Sequence, residues 1–371
     1  MTPIVFVAGA RPNFMKVAPL MAAMEARRDA GPALLVHTGQ HSDYAMSEVF
    51  FEDLGIREPD AHLQIGFGSH GVQAGRTMAA FEELLQAMPA RPRGIVVVGD
   101  VNSTMACALV GVKLGIPVAH VEAGLRSFDR TMPEEINRVV TDVVADLLLV
   151  SDPAGLDNLA HEGVPPERVS YVGNVMIDTL VRQLPHARTL DMPDRLGLRA
   201  GEYALVTLHR PSNVDVPEQL QALLGFLRRL AGSLPTVFPM HPRTAKRLDE
   251  LGLRSRIEGV ANLHLCGPLG YRETLGLQSG ARVVATDSGG IQEETTFLGI
   301  PCVTLRKNTE RPVTVSHGTN VVVGEDMEAA WRAVTEILAG RGKSAASSID
   351  GWDGHAAERV VSVLLGAWGR Q

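Results

Sequence analysis

Three things are scarce in this chain, and each shortage excludes a class of function. Cysteine occurs only at Cys107, Cys266 and Cys302, far apart in sequence. Sulfurs so spaced form neither a disulfide framework nor a paired-cysteine metal knuckle. Concentrated positive charge is missing: the formal net charge is −7 and lysine and arginine do not cluster, which argues against a nucleic-acid partner. Long apolar runs are missing too. The segment MTPIVFVAGARPN turns polar after one short run, too short to span a bilayer and without the basic start of an export signal. The expectation is a cytoplasmic protein with no membrane partner and no metal.

What is present is regular alternation. At 371 residues, of which 45% are hydrophobic and 21% charged, the chain suggests about two globular domains of roughly 100–200 residues each. Short β-branched runs at 4–8, 33–37, 95–98, 118–121 and 147–150 alternate with helical patterns, and the rhythm resumes at 203–208, 236–240, 262–265, 282–286 and 302–305. Near-continuous apolar strands separated by helices predict parallel sheets covered on both faces. The stretch 185–200, with Pro185, Pro193 and several charges, breaks the rhythm and reads as a linker. The expected plan is a first α/β domain over 1–175 and a second over 176–354. An amphipathic helix over 355–371 would pack back on the first.

Ligands of open parallel sheets bind beyond the carboxyl ends of the strands, so the residues just past each strand matter most. In the first half these positions hold Gly9-Ala10-Arg11-Pro12-Asn13 with Lys16, then Gly99-Asp100-Val101-Asn102-Ser103, then Glu122-Ala123-Gly124-Leu125-Arg126. In the second half they hold His209-Arg210, His241-Pro242-Arg243 and Asp287-Ser288-Gly289-Gly290. Were the two sheets to face each other, these ends would line one cleft. Ser288, Gly289 and Gly290 lie where a helix begins; unpaired N–H groups and the macrodipole there suit phosphate. Glu293 or Glu294, a turn later, is placed for ribose hydroxyls. A plain strand–helix turn with acidic residues complementing the dipole explains the same letters.

Arg11 and Lys16 sit at a helix start, where cations are electrostatically misplaced unless they serve an anion. Arg311, in the run TERP, follows another strand. Asp100 and Glu122 end successive strands, and Glu134 and Glu135 follow Pro133 at a helix start. Converging carboxylates in a closed site take and return protons, although Pro-Glu-Glu is also a good first turn in its own right. His209 and His241 each follow an apolar strand, His37 and His41 border TGQH, and His120 is expected in the core.

The motifs GARPNFMKVAP, TGQHSD, VVGDVNST, HVEAGLRS, MPEEINR, TLHR, TDSGGIQEE and TERP, in this order over about residues 4–325, resemble the non-hydrolysing UDP-N-acetylglucosamine 2-epimerases. The resemblance implies two Rossmann-like domains facing a central cleft, the glycosyltransferase-B architecture. It implies reversible epimerisation of UDP-GlcNAc to UDP-ManNAc, by loss of UDP to a 2-acetamidoglucal and its re-addition, without cofactor. Ser288, Gly289 and Gly290 would hold the diphosphate with His209 and Arg11 beside it, Glu294 the ribose, and Lys16 and Arg311 further substrate positions. Asp100, Glu122 and Glu134, with His209, match the catalytic set. Gln40, His41 and His241 match an activator site for a second UDP-GlcNAc, but the glycine-rich segment 63–78 departs from the common pattern and Arg76 fits the activator's arginine only loosely. A homodimer is implied as well. Two alternatives share these residues: a hydrolysing relative that releases ManNAc and UDP, and a transferase or UDP-sugar-binding protein of the same architecture.

Overall fold

Strand residues that alternate nowhere, such as Ile-Val-Phe-Val-Ala at 4–8, need apolar cover on both faces, and the chain provides it twice. The computed structural model describes residues 2–39, 54–343 and 348–369, and the chain divides into two units, Met1–Arg182 with Asp350–Gln371, and Gln183–Ile349. The first contains β1 (Ile4–Ala8), β2 (Ala33–His37), β3 (Ala61–His62), β4 (Gly94–Val98), β5 (Val118–Ala123), β6 (Leu147–Val150) and β7 (Val169–Tyr171). These form a seven-stranded parallel sheet in the order β3-β2-β1-β4-β5-β6-β7. The second contains β8 (Ala204–Thr207), β9 (Thr236–Pro239), β10 (Leu263–Cys266), β11 (Val283–Thr286), β12 (Cys302–Thr304) and β13 (Asn320–Val322), in the order β10-β9-β8-β11-β12-β13. Both are doubly wound, and the strand order reverses between β1 and β4 and between β8 and β11. Ligands of such sheets sit at that switch point.

Central strands β1, β4 and β5 are buried at every residue. Val5, Val7, Ile95 and Val97 pack with Phe81 and Leu85 in one core; Val206, Phe238, Val283 and Val303 pack with Leu223 and Leu227 in the other. Each fully buried aliphatic side chain contributes about 1.5–3 kcal/mol. The strands that sequence patterning misses, β3, β7 and β13, lie at sheet edges. They are two or three residues long and partly exposed, so no apolar run marks them.

The stretch 185–200 is not a bare linker. A helix spans Val175–Thr189 with Pro185 inside it, and a shorter one follows at Met192–Arg195. The division between units falls within the longer helix. The closing helix, Ala356–Trp368, belongs to the first unit, burying Val360, Val361, Leu364 and Trp368. Gly94 at the start of β4 leaves room for the Trp368 ring, which any Cβ at 94 would strike. No helix among the described residues is long and apolar enough to cross a membrane.

Candidate active site

In the first unit, three strand ends meet through charge. Lys16, on the helix Arg11–Ala26 that follows β1, is buried and its Nζ donates to Oε2 of Glu122 on β5. The loop before that helix is fixed by Asn13, whose side chain accepts from Gly9 N at 3.2 Å and Ala10 N at 3.0 Å and donates to Val98 O at 2.9 Å. Gly99, at φ +66°, passes between these groups; a Cβ there would lie 2.8 Å from Lys16 Nζ and 3.3 Å from Glu122 Oε2. Glycine is required both by the left-handed backbone and by the space.

Asp100 follows β4 and remains about a quarter exposed, with Arg138 Nη2 donating to its Oδ2 at 2.5 Å. Arg138 lies on the helix Pro133–Val144 and also donates from Nη1 to Glu135 Oε2 at 2.9 Å. Glu135 in turn accepts from Ser127 N and Phe128 N, each at 2.9 Å, fixing the loop after β5. Glu134, beside it in the first turn, is half-buried. Because β4 and β5 pair in parallel with Val98 opposite Val121, Asp100 and Glu122 stand at neighbouring strand ends, each held by a buried cation. Arg11 is the first residue of its helix.

In the second unit the organising residue is Asp287, fully buried at the end of β11. It accepts from His209 N at 3.0 Å, Arg210 N at 2.9 Å and Asn213 Nδ2 at 3.0 Å, and pairs with His209 Nδ1 at 3.0 Å. Burial opposes its ionisation, but the bonds from His209 and Asn213 outweigh that and hold it below the usual carboxylate range. The His209 side chain remains 35% exposed, and its ring centroid lies 5.5 Å from that of His241. A histidine oriented by a buried carboxylate through Nδ1 presents Nε2 outward, the arrangement of an oriented proton donor.

Ser288 is the N-cap of the helix Gly289–Leu298, and its own side chain makes no capping bond. The guanidinium of Arg311 lies over this helix start: a Cβ on Gly289 would be 2.8 Å from Arg311 Nη1. Arg311 is buried, paired through Nε with Glu293 Oε1 at 2.9 Å. Beside it Arg306 and Glu310 form a two-pronged buried pair at 2.6 and 3.1 Å. Glu294, next on the same helix, is buried as well. Burial pushes its carboxyl up to about 7 against the opposing bonds from Tyr271 and Gln278, and Tyr271 OH donates to its Oε1 at 3.0 Å. Gln40 and His41 lie outside the described residues. His241 caps the helix Pro242–Glu250 by accepting from Arg243 N at 3.2 Å.

The structure therefore gathers Lys16, Asp100 and Glu122 with Glu134 nearby on one unit, and His209, Ser288, Gly289, Gly290 and Arg311 on the other. Sequence reasoning missed Arg138, Asp142 and Tyr271; it noted Glu135 and Asp287 at their helix start and strand end without seeing what they hold. Asp287 carried a signal, standing directly after a strand, with only Ser288 between it and a glycine pair. Arg138 and Asp142 repeat at helical spacing after Glu135, a polar stripe where an amphipathic helix is expected to bury apolar residues.

Among the described residues no cluster of histidine, cysteine and carboxylate side chains suits a metal ion. Comparison with known proteins matches residues 24–365 to the family model of UDP-N-acetylglucosamine 2-epimerase. A UDP-N-acetylglucosamine 2-epimerase of Methanococcus maripaludis is 37% identical, with 99% of each chain covered. A UDP-2,3-diacetamido-2,3-dideoxy-D-glucuronate 2-epimerase of Pseudomonas aeruginosa is 40% identical over 86% of this chain and 88% of its own. The crystal structure of Methanocaldococcus jannaschii UDP-GlcNAc 2-epimerase in complex with UDP-GlcNAc and UDP superposes with a TM-score of 0.89 at 37% identity, covering 100% of both chains.

Proposed function

The chain belongs to the UDP-N-acetylglucosamine 2-epimerase family, and from that premise we propose that it interconverts UDP-GlcNAc and UDP-ManNAc by inverting C2 of the sugar. The observation that carries the reading is the pair of carboxylates, Asp100 and Glu122, at the ends of adjacent strands, each tied to its own buried cation. Nucleotide binding alone needs no such pair; proton exchange at carbon does.

C2 of the substrate bears no carbonyl, so its proton becomes removable only as the C1–O bond to UDP breaks and positive character builds on the ring. A carboxylate takes that proton, the C1=C2 bond of a 2-acetamidoglucal forms, and UDP leaves. Return of a proton to the opposite face of C2, with UDP rejoining C1, gives the epimer. The exchange is redox-neutral. Asp100, Glu122 and Glu134 are assigned to these proton transfers. The Ser288 hydroxyl and the N–H groups of Gly289 and Gly290, with Arg311 and His209, take the diphosphate, whose charge grows as it departs; the Ser288 N–H already donates to Thr286 Oγ1 at 2.9 Å. Arg11 and Lys16 are assigned to further contacts with the substrate. Glu294 takes the ribose. The first unit is thus the sugar side and the second the UDP side of an enzyme acting in the cytoplasm as a homodimer.

The Pseudomonas aeruginosa relative, 40% identical, supports a second reading in which the same chemistry acts on a UDP-diacetamido-uronate. Proton NMR in D₂O with no acceptor separates the possibilities. UDP-ManNAc carrying deuterium at C2, growing from UDP-GlcNAc to a fixed ratio, is the expected result. Free ManNAc with UDP would mean hydrolysis instead. An inert UDP-GlcNAc beside a reacting diacetamido-uronate would favour the second reading, and inertness of both would overturn the assignment.

A further inference from the structure

Glu122 has a backbone conformation that glutamate rarely adopts. Its φ is +73°, in the left-handed region that L-residues other than glycine seldom adopt, and the pairing of β5 with β6 slips in register between Val121 and Ala123. Such strain persists only where the surroundings over-determine it. One buried side chain touches the strand on both sides of the slip. Asp142, on the helix Pro133–Val144, pairs with His120 Nδ1 at 2.6 Å and accepts from Gly124 N at 3.0 Å and Arg126 Nη1 at 2.7 Å. Those partners precede and follow Glu122 in the chain.

The link continues past His120. Its Nε2 donates to Gly99 O at 2.8 Å, and Gly99 N donates to Val121 O at 3.1 Å. Gly99 is the residue wedged against Lys16 Nζ and Glu122 Oε2. Both His120 nitrogens face acceptors, Asp142 Oδ1 on one side and Gly99 O on the other. Arg126 closes the group with two bonds to Glu162, each 2.7 Å. Arg126 thus answers both Asp142 and Glu162 in a site where an unpaired charge would be expensive.

We propose that Asp142 is a positioning residue for Glu122: through Gly124 and Arg126 on one side and His120–Gly99 on the other, it holds the strained turn that sets the Glu122 carboxylate against Lys16. It touches no substrate. The inference rests on the reading of Glu122 as a proton-transfer group.

The test compares Asp142→Asn, Glu122→Gln and the double variant. Asparagine keeps the shape of Asp142 and removes its charge. Expected for Asp142→Asn is a fall in kcat of about 10–100-fold, the range for residues that orient a functional group, with UDP-GlcNAc affinity within about threefold. The isotope effect from C2-deuterated substrate should rise, because removal of that proton becomes slower relative to other steps. A role in stability alone would lower the thermal midpoint and leave that isotope effect unchanged. The double variant should turn over no more slowly than Glu122→Gln, since a residue acting through another adds nothing once that other is gone. A folded Asp142→Asn with kcat within twofold of wild type, or additive losses in the double variant, overturns the proposal. If Glu122→Gln itself is fully active, it is the role of Glu122 that fails. Should Asp142→Asn not fold, His120→Gln reads the same link, leaving the contacts of Asp142 to Gly124 and Arg126 in place.

Discussion

Buried ionisable side chains decide the chemistry one residue at a time. Lys16 and Glu122 pair where both are buried, and Arg138 pairs with the partly exposed Asp100, so neither carboxylate is free to wander. Asp100→Asn and Glu122→Gln should each lower turnover by about 10²-fold or more, the size of a lost proton-transfer group, while UDP affinity measured by calorimetry changes little. Unchanged turnover removes that residue from the mechanism. Glu294 makes a different prediction. Burial raises it from 4.5 to about 7, so its contribution to stability is complete below about pH 4.5 and is lost as pH rises through 7. Ribose hydroxyls donating to it favour the ionised form. Binding of UDP-GlcNAc near pH 7 should therefore release a proton, seen as a dependence of the calorimetric enthalpy on the buffer's ionisation enthalpy. Glu294→Gln should abolish that release; an unaltered release in the variant would detach Glu294 from the ribose.

At the scale of elements, helices act here as carriers of polar contacts as much as of apolar cover. The helix Pro133–Val144 buries Glu135, Arg138 and Asp142, and their partners lie on β5 at His120 and in the loops after β4 and β5. The closing helix is fastened similarly. Asp178, on the helix Val175–Thr189, accepts from Ala356 N at 3.1 Å and Ala357 N at 2.7 Å, taking two of the N–H groups that every helix start leaves unpaired. Burial raises its carboxyl from 3.8 to about 6 in spite of those bonds. Its contribution is complete below pH 3.8 and fades as pH rises through about 6. Asp178→Ala should cost about 1 kcal/mol, the usual worth of a cap, and speed amide exchange in the closing helix about fivefold. Asp178→Asn should flatten the loss of stability between pH 4 and 6. Exchange unchanged by the alanine variant would mean that the cap contributes nothing.

For the whole molecule, the division into two units predicts where a nucleotide is felt. UDP at a hundredfold excess over its Kd stabilises what it binds by about 2.7 kcal/mol. Hydrogen exchange should slow in the second unit around 207–210, 286–294 and 306–311, with little change at 98–102 in the first. Protection at 98–102 with none at 286–294 would reverse the assignment of sugar and UDP sides. Sequence by itself determined the central strands, because full burial on both faces forces an unbroken apolar run, and with them the polar residues just beyond their ends. It determined the family, because motifs such as VVGDVNST and TDSGGIQEE are local strings. The short edge strands β3, β7 and β13 were illegible for want of an apolar run, whereas the edge strand β10 was read at 262–265. Only the tertiary structure decided which charge answers which: Lys16 and Glu122 are 106 residues apart, His209 and Asp287 78, and Asp100 and Arg138 38. Ion pairs across such separations leave no period in the sequence. They form because the parallel sheet brings successive strand ends side by side and, away from water, leaves each charge only the partner that the fold supplies.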